Sequence, residues 1–353
     1  MAVPKHVCLL RLSALGDCAN VVPVVHTLQA ARPDVEITWV INAAEATLVT
    51  DLPGVECVVY DKKGGRAAFV DLARRLRGRR FDVLLDMHAS WRANAIACLV
   101  RADRRIGFDQ RRARDGQRWF VGETIAPVAS RHVVDGFLAF AAAIGAPQPV
   151  MDWRVPLADA DRAAASTLLA DVCEPGRPVL LISPCSSHAK RNWSATRYAA
   201  VADHAQTRHA MQVVLVGGPS AAERDMARAI TAAALYPIAS LVGRTTLKQL
   251  LAVFEQSDVL LTPDSGPAHM ANATEIATIS LHAATDSRRS GAYRSREWCV
   301  DRFEQAAARY RNRTPDTLKW GTRIEDDEGV MALIPVAPVN EQLDRLMAAR
   351  APG

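Results

Sequence analysis

The segment Ser13-Ala14-Leu15-Gly16-Asp17 carries a carboxylate at a place suited to chemistry. It lies between an apolar run and a segment with helical spacing. Gly16 lets the backbone approach a ligand closely, and ligands of doubly wound sheets bind at the carboxyl ends of the strands. Aspartate is also among the best residues for capping a helix N-terminus. This loop alone leaves Asp17 open as a helix cap or as a functional carboxylate.

A second polar loop, residues 183–193, combines hydroxyl groups with positive charge. Ser186, Ser187 and Lys190 offer hydroxyls, backbone amides and a point charge, which together suit a diphosphate at a helix N-terminus. The alternative is an ordinary solvated loop that ends in Ser194 as a helix N-cap. A lysine, an arginine and a tryptophan close together after a strand favour a functional loop.

A third loop follows the next apolar run with two glycines. Gly217 and Gly218 precede Ser220, a candidate N-cap, and Glu223 falls at the third helical position, as in a capping box. A carboxylate at this position could also accept hydrogen bonds from the hydroxyls of a ribose. Both interpretations of Glu223 stay open.

The fourth segment, residues 262–271, places a carboxylate, a hydroxyl and a glycine before a short helix. Asp264, Ser265 and Gly266 precede Pro267, a residue favoured in the first helical turn. The positive end of this helix makes the segment another candidate anion site. His269 follows on the first turns. A histidine on a helix usually has a structural role, but these neighbours favour a functional one.

Several motifs of phosphate and metal chemistry are missing from the sequence. The first loop lacks GxGxxG and GxxxxGK[ST], and the chain has no HExxH and no GxSxG. No DxD pair stands at a strand end, since Asp326 and Asp327 are adjacent rather than spaced. We therefore predict no metal ligands, no cofactor and a mechanism that needs no metal ion.

The elements that must position these loops alternate between strand and helix. Strands are predicted at 7–10, 36–41, 57–60, 81–86, 179–183, 212–216, 259–262 and 277–281. Helices are predicted at 19–31, 43–51, 66–76, 92–99, 195–208, 221–234, 247–254 and 267–273. This alternation predicts two parallel sheets, each covered by helices on both faces. A proline-rich stretch between 147 and 178 marks the boundary between two doubly wound α/β domains.

The composition excludes several classes of protein. With 353 residues, 49% hydrophobic and 23% charged, the chain is expected to form about two soluble globular domains. It has no run of about 18 apolar residues, and the N-terminus lacks the pattern of a secretory signal. Seven cysteines without a CxxC pair predict reduced thiols in a cytoplasmic protein.

Positive charge is concentrated in the first half of the chain. The net charge is only +5, but residues 62–80 hold eight Lys and Arg against one acid. Residues 101–118 hold seven Arg against three acids. This distribution predicts an anionic partner for the first half.

In this order, the four loops resemble glycosyltransferase family 9, the ADP-heptose:lipopolysaccharide heptosyltransferases. The sequence departs from the family pattern at Cys185, where glycine is usual, at Glu275 and at His282. The matching motifs are Arg11-x-Ser13-Ala14-Leu15-Gly16-Asp17, Lys190-Arg191-x-Trp193, Gly217-Gly218-Pro219-Ser220-x-x-Glu223 and Asp264-Ser265-Gly266-Pro267-x-His269-x-Ala271.

The resemblance implies a GT-B architecture of two Rossmann-like domains that face each other across a cleft. Residues 1–155 would bind the acceptor and residues 156–353 the nucleotide-sugar, while a last helix at about 339–350 would pack back on the first domain. The implied reaction is an inverting, metal-independent transfer of heptose from ADP-heptose to the lipopolysaccharide inner core, either Kdo-lipid A or a heptosylated core.

The resemblance also implies roles by position. Asp17 would be the general base that takes the proton of the acceptor hydroxyl, with Ser13 and Gly16 in the acceptor loop. Lys190 would neutralise the donor phosphates, and Glu223 would bind the ribose. The other residues expected to hold the diphosphate and sugar are Ser186, Ser187, Asp264, Ser265, Gly266 and His269.

The implied acceptor is anionic and lies at the cytoplasmic face of the inner membrane. The basic helix could dock there at roughly 1 kcal/mol per basic residue, through Arg74, Arg75, Arg77, Arg79 and Arg80. A solvated basic helix face is the alternative. We therefore expect a cytoplasmic protein that associates with this membrane face.

Two other functions are compatible with the sequence. The departures at Cys185 and Glu275 admit another nucleotide-sugar or another glycan acceptor. A non-catalytic nucleotide- or nucleic-acid-binding protein would account for the arginine clusters, but aromatic residues make up only 6% of the chain, and single strands bind on aromatic platforms. We therefore expect no nucleic-acid partner.

Overall fold

The computed structural model describes residues 2–325 and 329–350. The chain divides into two compact units, Met1–Pro156 and Leu157–Gly353. This division falls one residue after the predicted boundary. Asp326 and Asp327, the adjacent acids of the sequence, lie outside the described residues.

The first unit alternates strands and helices around one parallel sheet. Its strands are β1 (His6–Leu10), β2 (Glu36–Asn42), β3 (Val55–Tyr60), β4 (Phe81–Asp86), β5 (Ala102–Gly107) and β6 (Glu123–Thr124). Its helices are α1 (Leu15–Ala31), α2 (Ala43–Val49), α3 (Gly65–Leu76), α4 (Trp91–Ala97) and α5 (Val133–Ala143), with a 3₁₀ turn at Gln117–Trp119. The strand order is β3-β2-β1-β4-β5-β6, and every pairing is parallel.

The second unit repeats this plan. Its strands are β7 (Val179–Ile182), β8 (Gln212–Leu215), β9 (Ala239–Ser240), β10 (Val259–Pro263), β11 (Ala277–His282) and β12 (Val300–Asp301). Its helices are α6 (Asp159–Ala170), α7 (Ala195–His209), α8 (Ala221–Ala233), α9 (Leu247–Glu255), α10 (Gly266–Met270), α11 (Ser287–Ser290), α12 (Phe303–Arg311) and α13 (Val336–Arg350). Shorter 3₁₀ turns occur at Ala189–Arg191, Ala271–Ala273, Tyr293–Trp298, Pro315–Thr317 and Val330–Leu333. The strand order is β12-β11-β10-β7-β8-β9, again with parallel pairing.

These two sheets confirm the predicted pair of doubly wound α/β domains. In each sheet the strand order changes direction beside the first strand, between β1 and β4 and between β7 and β10. Ligands of doubly wound sheets bind at such switch points, outside the carboxyl ends of the strands. The loops that follow β1, β4, β7 and β10 are therefore the expected positions of ligand-binding residues.

The central strands are continuous apolar runs because helices cover both faces of each sheet. In β1, every residue from Val7 to Leu10 is fully buried. The sequence pattern does not predict β5, because three of its six residues are charged: Asp103, Arg104 and Arg105. Arg104 is ion-paired with Glu123 of the neighbouring edge strand β6, which compensates its charge.

The last helix, α13, is built into the second unit. Its buried residues Val339, Leu343 and Leu346 join the hydrophobic core that β7, β8 and α7 also supply. The family resemblance implies that this helix packs back on the first domain, whereas the buried face of the helix packs against the second unit. No helix in the described part of the chain combines the length and hydrophobicity needed to cross a membrane.

Candidate active site

Asp17 lies in the first turn of α1, just after the loop that follows β1. The helix starts at Leu15, four residues earlier than predicted, and its N-cap is Ala14, which makes no side-chain cap hydrogen bond. The interpretation of Asp17 as the helix cap is therefore wrong. Its carboxylate instead accepts a hydrogen bond from Nη2 of Arg11 and forms an ion pair with it. Ser13 is half-buried and Gly16 is buried in the same loop.

The guanidinium group of Arg11 is held by contacts with Met87 and Phe137 as well as with Asp17. Its Nη1 donates to the carbonyl oxygen of Met87, just past β4, at 2.6 Å. Its guanidinium carbon lies 5.3 Å from the centroid of the Phe137 ring, within the range of a cation–π contact. Arg11 therefore ties the ends of β1 and β4 together and orients the carboxylate of Asp17.

His88 is a residue of this region that sequence reasoning missed. Its Nδ1 accepts a hydrogen bond from the backbone N–H of Leu12 at 3.2 Å. Burial, together with the nearby positive charge of Arg11, lowers the pKa of His88 to about 3. The imidazole is therefore neutral near pH 7 and carries its proton on Nε2.

Asp86, the last residue of β4, was also missed. It is completely buried, and burial raises the pKa of its carboxyl to about 6. Its Oδ1 accepts from the backbone N–H of His88 at 3.3 Å, while Oδ2 has no hydrogen-bond partner among the described residues. The signal that could have found both residues is their place at the carboxyl end of a strand that pairs with β1, and recognising this pairing requires the strand order.

In the second unit, Asp264 is the centre of the loop that follows β10. Its Oδ2 accepts from the hydroxyl of Ser290 at 2.9 Å, and Oδ1 lies 3.5 Å from Nε2 of His269. Burial opposes ionisation of this carboxyl, but His269, His282 and Arg289 hold its pKa well below the usual range. Asp264 is therefore a permanent buried anion that positions the groups around it.

The other predicted residues of this loop are close to Asp264. Ser265 is the N-cap residue of α10 and its hydroxyl lies 2.8 Å from that of Thr262. Gly266 starts the helix, with Pro267 in the first turn as predicted. The structure therefore brings the predicted Asp264, Ser265, Gly266 and His269 together in one small region.

His282, where the sequence departs from the family pattern, is a buried imidazole near this loop. Burial lowers the pKa of His282, but Cys299 and the carboxylates of Asp264 and Asp301 raise it more. The resulting pKa is about 9. Its ring nitrogens lie 3.2 Å from the hydroxyl of Thr285 and 3.1 Å from that of Ser280. This position adds a positive charge beside Asp264 that the sequence did not predict.

The two adjacent cationic residues of the loop after β7, Lys190 and Arg191, differ in their exposure to solvent. Lys190 is exposed in the 3₁₀ turn Ala189–Arg191. Arg191 is buried and lies 2.9 Å from Oε1 of Glu325 and 3.3 Å from the carbonyl of Asp264, to which Nη1 donates. Arg191 is thus a structural link between the loops after β7 and β10, and Lys190 is the cation that a ligand can reach.

Ser186 and Ser187 stabilise this loop internally. The hydroxyl of Ser186 donates to the carbonyl of His188 at 2.8 Å. The hydroxyl of Ser187 accepts from Nη2 of Arg191 at 2.9 Å. Both serines therefore shape the loop in which Lys190 is held, in addition to any contact with a ligand.

Glu223 makes the contacts of a helix cap. Its backbone N–H donates to the hydroxyl of Ser220, and that hydroxyl donates back to Oε2 at 2.7 Å. Its Oε1 accepts from the backbone N–H of Gly218 at 2.7 Å. A Cβ on Gly218 would lie 2.9 Å from Oε2, so a side chain here would displace the carboxylate from this position. Ser220 is therefore the N-cap, as predicted. The Glu223 carboxylate accepts from the backbone N–H of Gly218 rather than from that of Ser220, so the reciprocal bond of a capping box is replaced by a bond to the preceding loop. The proposed contact with a ribose stays a prediction.

Cys185 lies near this cap. Burial, and to a smaller extent the charge of Glu223, raise the pKa of its thiol to about 11. The thiol is therefore protonated near pH 7. Among the described residues, no three His, Cys, Asp or Glu ligand atoms of these loops lie within 4.8 Å of one another.

The basic residues of the first unit divide into paired and unpaired groups. Arg75, Arg79 and Arg80 form ion pairs with Asp71, Glu56 and Asp103. Arg74 and Arg77 are exposed and have no ion pair with any described residue. In the second arginine cluster, Arg112 is buried against Asp109. Much of the positive charge seen in the sequence is therefore neutralised inside the fold.

Two exposed tryptophans lie beside one glycine at the carboxyl end of the first sheet. Trp91 starts α4 and Trp119 ends a 3₁₀ turn, and they are 59% and 69% exposed. A Cβ on Gly116, whose φ is +72°, would lie 2.6 Å from the ring of Trp119 and 3.4 Å from that of Trp91. The guanidinium of Arg118 lies 5.7 Å from the Trp119 ring. We call these two rings the tryptophan shelf.

Comparisons with known proteins agree on one family. The family model for "Glycosyltransferase family 9 (heptosyltransferase)" matches residues 69–319. The lipopolysaccharide core heptosyltransferase OpsX of Haemophilus influenzae is 34% identical over 343 residues, which are 97% of this chain and 97% of that protein.

Solved structures share the fold at lower sequence identity. A glycosyltransferase of family 9 from Veillonella parvula superposes with a TM-score of 0.79 at 18% identity, covering 99% of both chains. The ADP-heptose lipopolysaccharide heptosyltransferase II of Escherichia coli has a TM-score of 0.74 at 19% identity, covering 98% of this chain and all of the other.

Proposed function

Because this chain belongs to glycosyltransferase family 9 (heptosyltransferase), we propose that it transfers heptose from ADP-heptose to the inner core of lipopolysaccharide. The 34% identical relative is a lipopolysaccharide core heptosyltransferase. A solved structure of the same fold is named as an ADP-heptose lipopolysaccharide heptosyltransferase. The acceptor would be Kdo-lipid A or an already heptosylated core. The transfer would invert the anomeric centre and need neither metal ion nor cofactor.

The observation that carries this proposal is the ion pair between Asp17 and Arg11 at the switch point of the first sheet. Asp17 is the general base of the proposed reaction. It takes the proton of the acceptor hydroxyl as the oxygen of that group bonds to the anomeric carbon. The bond between this carbon and the β-phosphate oxygen breaks, and ADP leaves with its electron pair.

The leaving diphosphate gains negative charge in the transition state, and positive groups must stabilise it. In the proposed mechanism Lys190 supplies an exposed ammonium group. Backbone N–H groups at Ser265 and Gly266 supply donors at the start of α10. Asp264 does not face the phosphate as a ligand in this mechanism; it holds His269 and Ser290 in place.

Glu223 is the proposed ribose contact. Both its oxygens already accept hydrogen bonds from the loop, and each carboxylate oxygen can accept a second one. The cap therefore fixes the carboxylate in one orientation, which lowers the entropy lost when a nucleoside binds. Ser186 and Ser187 would support Lys190 by fixing its loop.

The tryptophan shelf suits a sugar acceptor. Tryptophan rings present large apolar faces with few rotatable bonds, and the adjacent Arg118 can pair with a carboxylate or phosphate of an anionic glycan. Arg74 and Arg77 would add a contact with the anionic surface of the cytoplasmic membrane face. Arg75, Arg79 and Arg80 contribute less, since their charges are compensated.

A second candidate changes only the donor. Cys185 and His282 depart from the family pattern, and both lie near residues proposed to bind the donor. A different nucleotide base or sugar would meet these side chains. Calorimetric titration of ADP-heptose against UDP- and GDP-sugars distinguishes the candidates, because the true donor should bind at least about 10-fold more tightly than the others.

The main test replaces the proposed base. Asp17→Asn keeps the shape of the side chain but removes its basicity, so turnover should fall by about 10²- to 10⁴-fold. ADP release with ADP-heptose and Kdo-lipid A measures turnover, and calorimetry should show donor binding within about 3-fold of wild type. Asp71→Asn, which alters an exposed ion pair on α3, is the control. Turnover of the Asp17 variant close to that of this control would rule out the assignment.

A further inference from the structure

Three side chains outside the proposed active site point their ligand atoms at one place. His204 and His209 lie on α7, and Asp344 lies on α13. Nε2 of His204 is 2.7 Å from Oδ1 of Asp344, and Nε2 of His209 is 2.6 Å from the same oxygen. All three ligand atoms lie within 4.8 Å of one another, and no other such group occurs in the described residues.

The two helices hold this cluster firmly. α7 and α13 pack side by side through the core of the second unit, where Val339 and Leu343 are fully buried. Both imidazoles are mostly buried, whereas Asp344 keeps 42% of its side chain exposed. His209 is the last residue of α7, where the negative end of the helix dipole favours a cation.

We propose that His204, His209 and Asp344 form a binding site for a divalent transition metal, with Zn²⁺ as the preferred ion. Two imidazole nitrogens and one carboxylate oxygen are a ligand set that zinc uses in proteins, completed by water in the fourth position. The exposed side of Asp344 gives the ion and this water access.

The arrangement differs from a simple hydrogen-bonded tie between helices. Asp344 has two oxygens, but both histidines direct the same nitrogen to one of them. Two N–H donors at one oxygen bring their partial positive charges together, whereas three electron-pair donors around one point are what a tetrahedral cation requires. When the ion binds, the protons on the two Nε2 atoms move to Nδ1 or to solvent. The N–O separations widen to roughly 3.4 Å through small side-chain rotations, because tetrahedral Zn–ligand bonds of about 2.0–2.2 Å place the ligand atoms that far apart.

The site would link the last helix to the body of its unit. A metal that binds the folded state and not the unfolded chain stabilises the fold by mass action. This inference is independent of the proposed function, because none of the three residues belongs to the loops that carry the proposed reaction.

The test uses full-length protein dialysed against a chelator and titrated with Zn²⁺ alone. Calorimetry should show one equivalent bound with a Kd below about 10 μM, and the Tm should rise with Zn²⁺ but not with Mg²⁺. Co²⁺ in place of zinc should give visible absorption without a thiolate charge-transfer band, since no cysteine takes part. Asp344→Asn and His209→Gln should each weaken binding at least about 10-fold.

His26→Gln serves as the matched control. His26 lies on α1 in the first unit, and its Nε2 lies 3.0 Å from the carbonyl of Arg154, so this variant should bind Zn²⁺ like wild type. Circular dichroism checks that each variant is folded. Failure of the wild-type protein to bind Zn²⁺ at about 100 μM, or unchanged binding by both cluster variants, would overturn the proposal and leave a hydrogen-bonded contact between two helices.

Discussion

Arg11 and Asp17, six residues apart in the sequence, form an ion pair at the carboxyl end of the central strand of the first sheet. The strand ends at Leu10 and the helix begins at Leu15, so the two side chains meet across the turn between them. Arg11 also bonds the backbone after β4. The proposed base is therefore oriented by a residue that is itself fixed by the sheet.

The first prediction concerns this orientation. Arg11→Lys keeps the charge but loses the planar group that bonds Asp17 and Met87 at once. We expect kcat to fall by roughly 10²-fold because the carboxylate is misplaced, with little change in the KM for the donor. Steady-state kinetics of ADP release measures kcat and the donor KM separately and so checks this expectation. A rise in donor KM with unchanged kcat would contradict a role in positioning the base.

The second prediction concerns Asp86 and pH. Burial raises its pKa from 3.8 to about 6, so the folded state holds this proton more tightly than the unfolded chain. The contribution of this proton to the free energy of unfolding is fully present below about pH 4. It is lost as the pH rises through 6, and the loss amounts to at most about 3 kcal/mol. Asp86→Asn should therefore be more stable than wild type above pH 6, and the difference should shrink towards pH 4.

Urea unfolding of both proteins between pH 4 and 8 measures this dependence. A difference in the free energy of unfolding that stays constant with pH would show that the carboxyl does not titrate as proposed. A variant with higher stability and lower turnover would indicate that Asp86 is retained for activity, since buried charges at active sites commonly reduce stability.

The third prediction separates two adjacent cations. Lys190 is exposed, so Lys190→Ala should weaken ADP-heptose binding at least about 10-fold and leave the Tm unchanged. Arg191 is buried against Glu325, so Arg191→Ala should lower the free energy of unfolding by about 3 kcal/mol, because it removes a buried guanidinium and leaves the mostly buried Glu325 carboxylate with only the more distant Arg323 as ion-pair partner. Calorimetry and chemical unfolding on both variants test this; equal effects of the two substitutions on stability would contradict the assignment.

The fourth prediction concerns the membrane. The double variant Arg74→Ser/Arg77→Ser should lose binding to anionic vesicles, by roughly 30-fold for two residues at about 1 kcal/mol each. Arg75→Ser/Arg80→Ser, which removes two cations that are already paired, is the matched control and should lose less. Vesicle co-sedimentation at two salt concentrations measures both. Equal losses would indicate that total charge, rather than these two residues, determines the contact.

The amino-acid sequence determined the elements and most of the candidate residues. Apolar runs bounded by glycine and polar residues located the central strands, because a buried parallel strand must be apolar on both faces. The order of the four loops identified the family, which the comparisons confirmed. Local signals also gave the N-cap at Ser220, since capping depends on residues within one turn of a helix.

Only the tertiary structure decided which residues act together. His88 and Asp86 lie far from Asp17 in the sequence, and the pairing of β1 with β4 brings them to the same switch point. The same is true of Arg191, whose partners Asp264 and Glu325 are distant in sequence, and of the His204, His209 and Asp344 cluster on two packed helices. Sequence patterns report short-range spacing and burial, whereas charge pairing and pKa depend on neighbours that the strand order and helix packing supply.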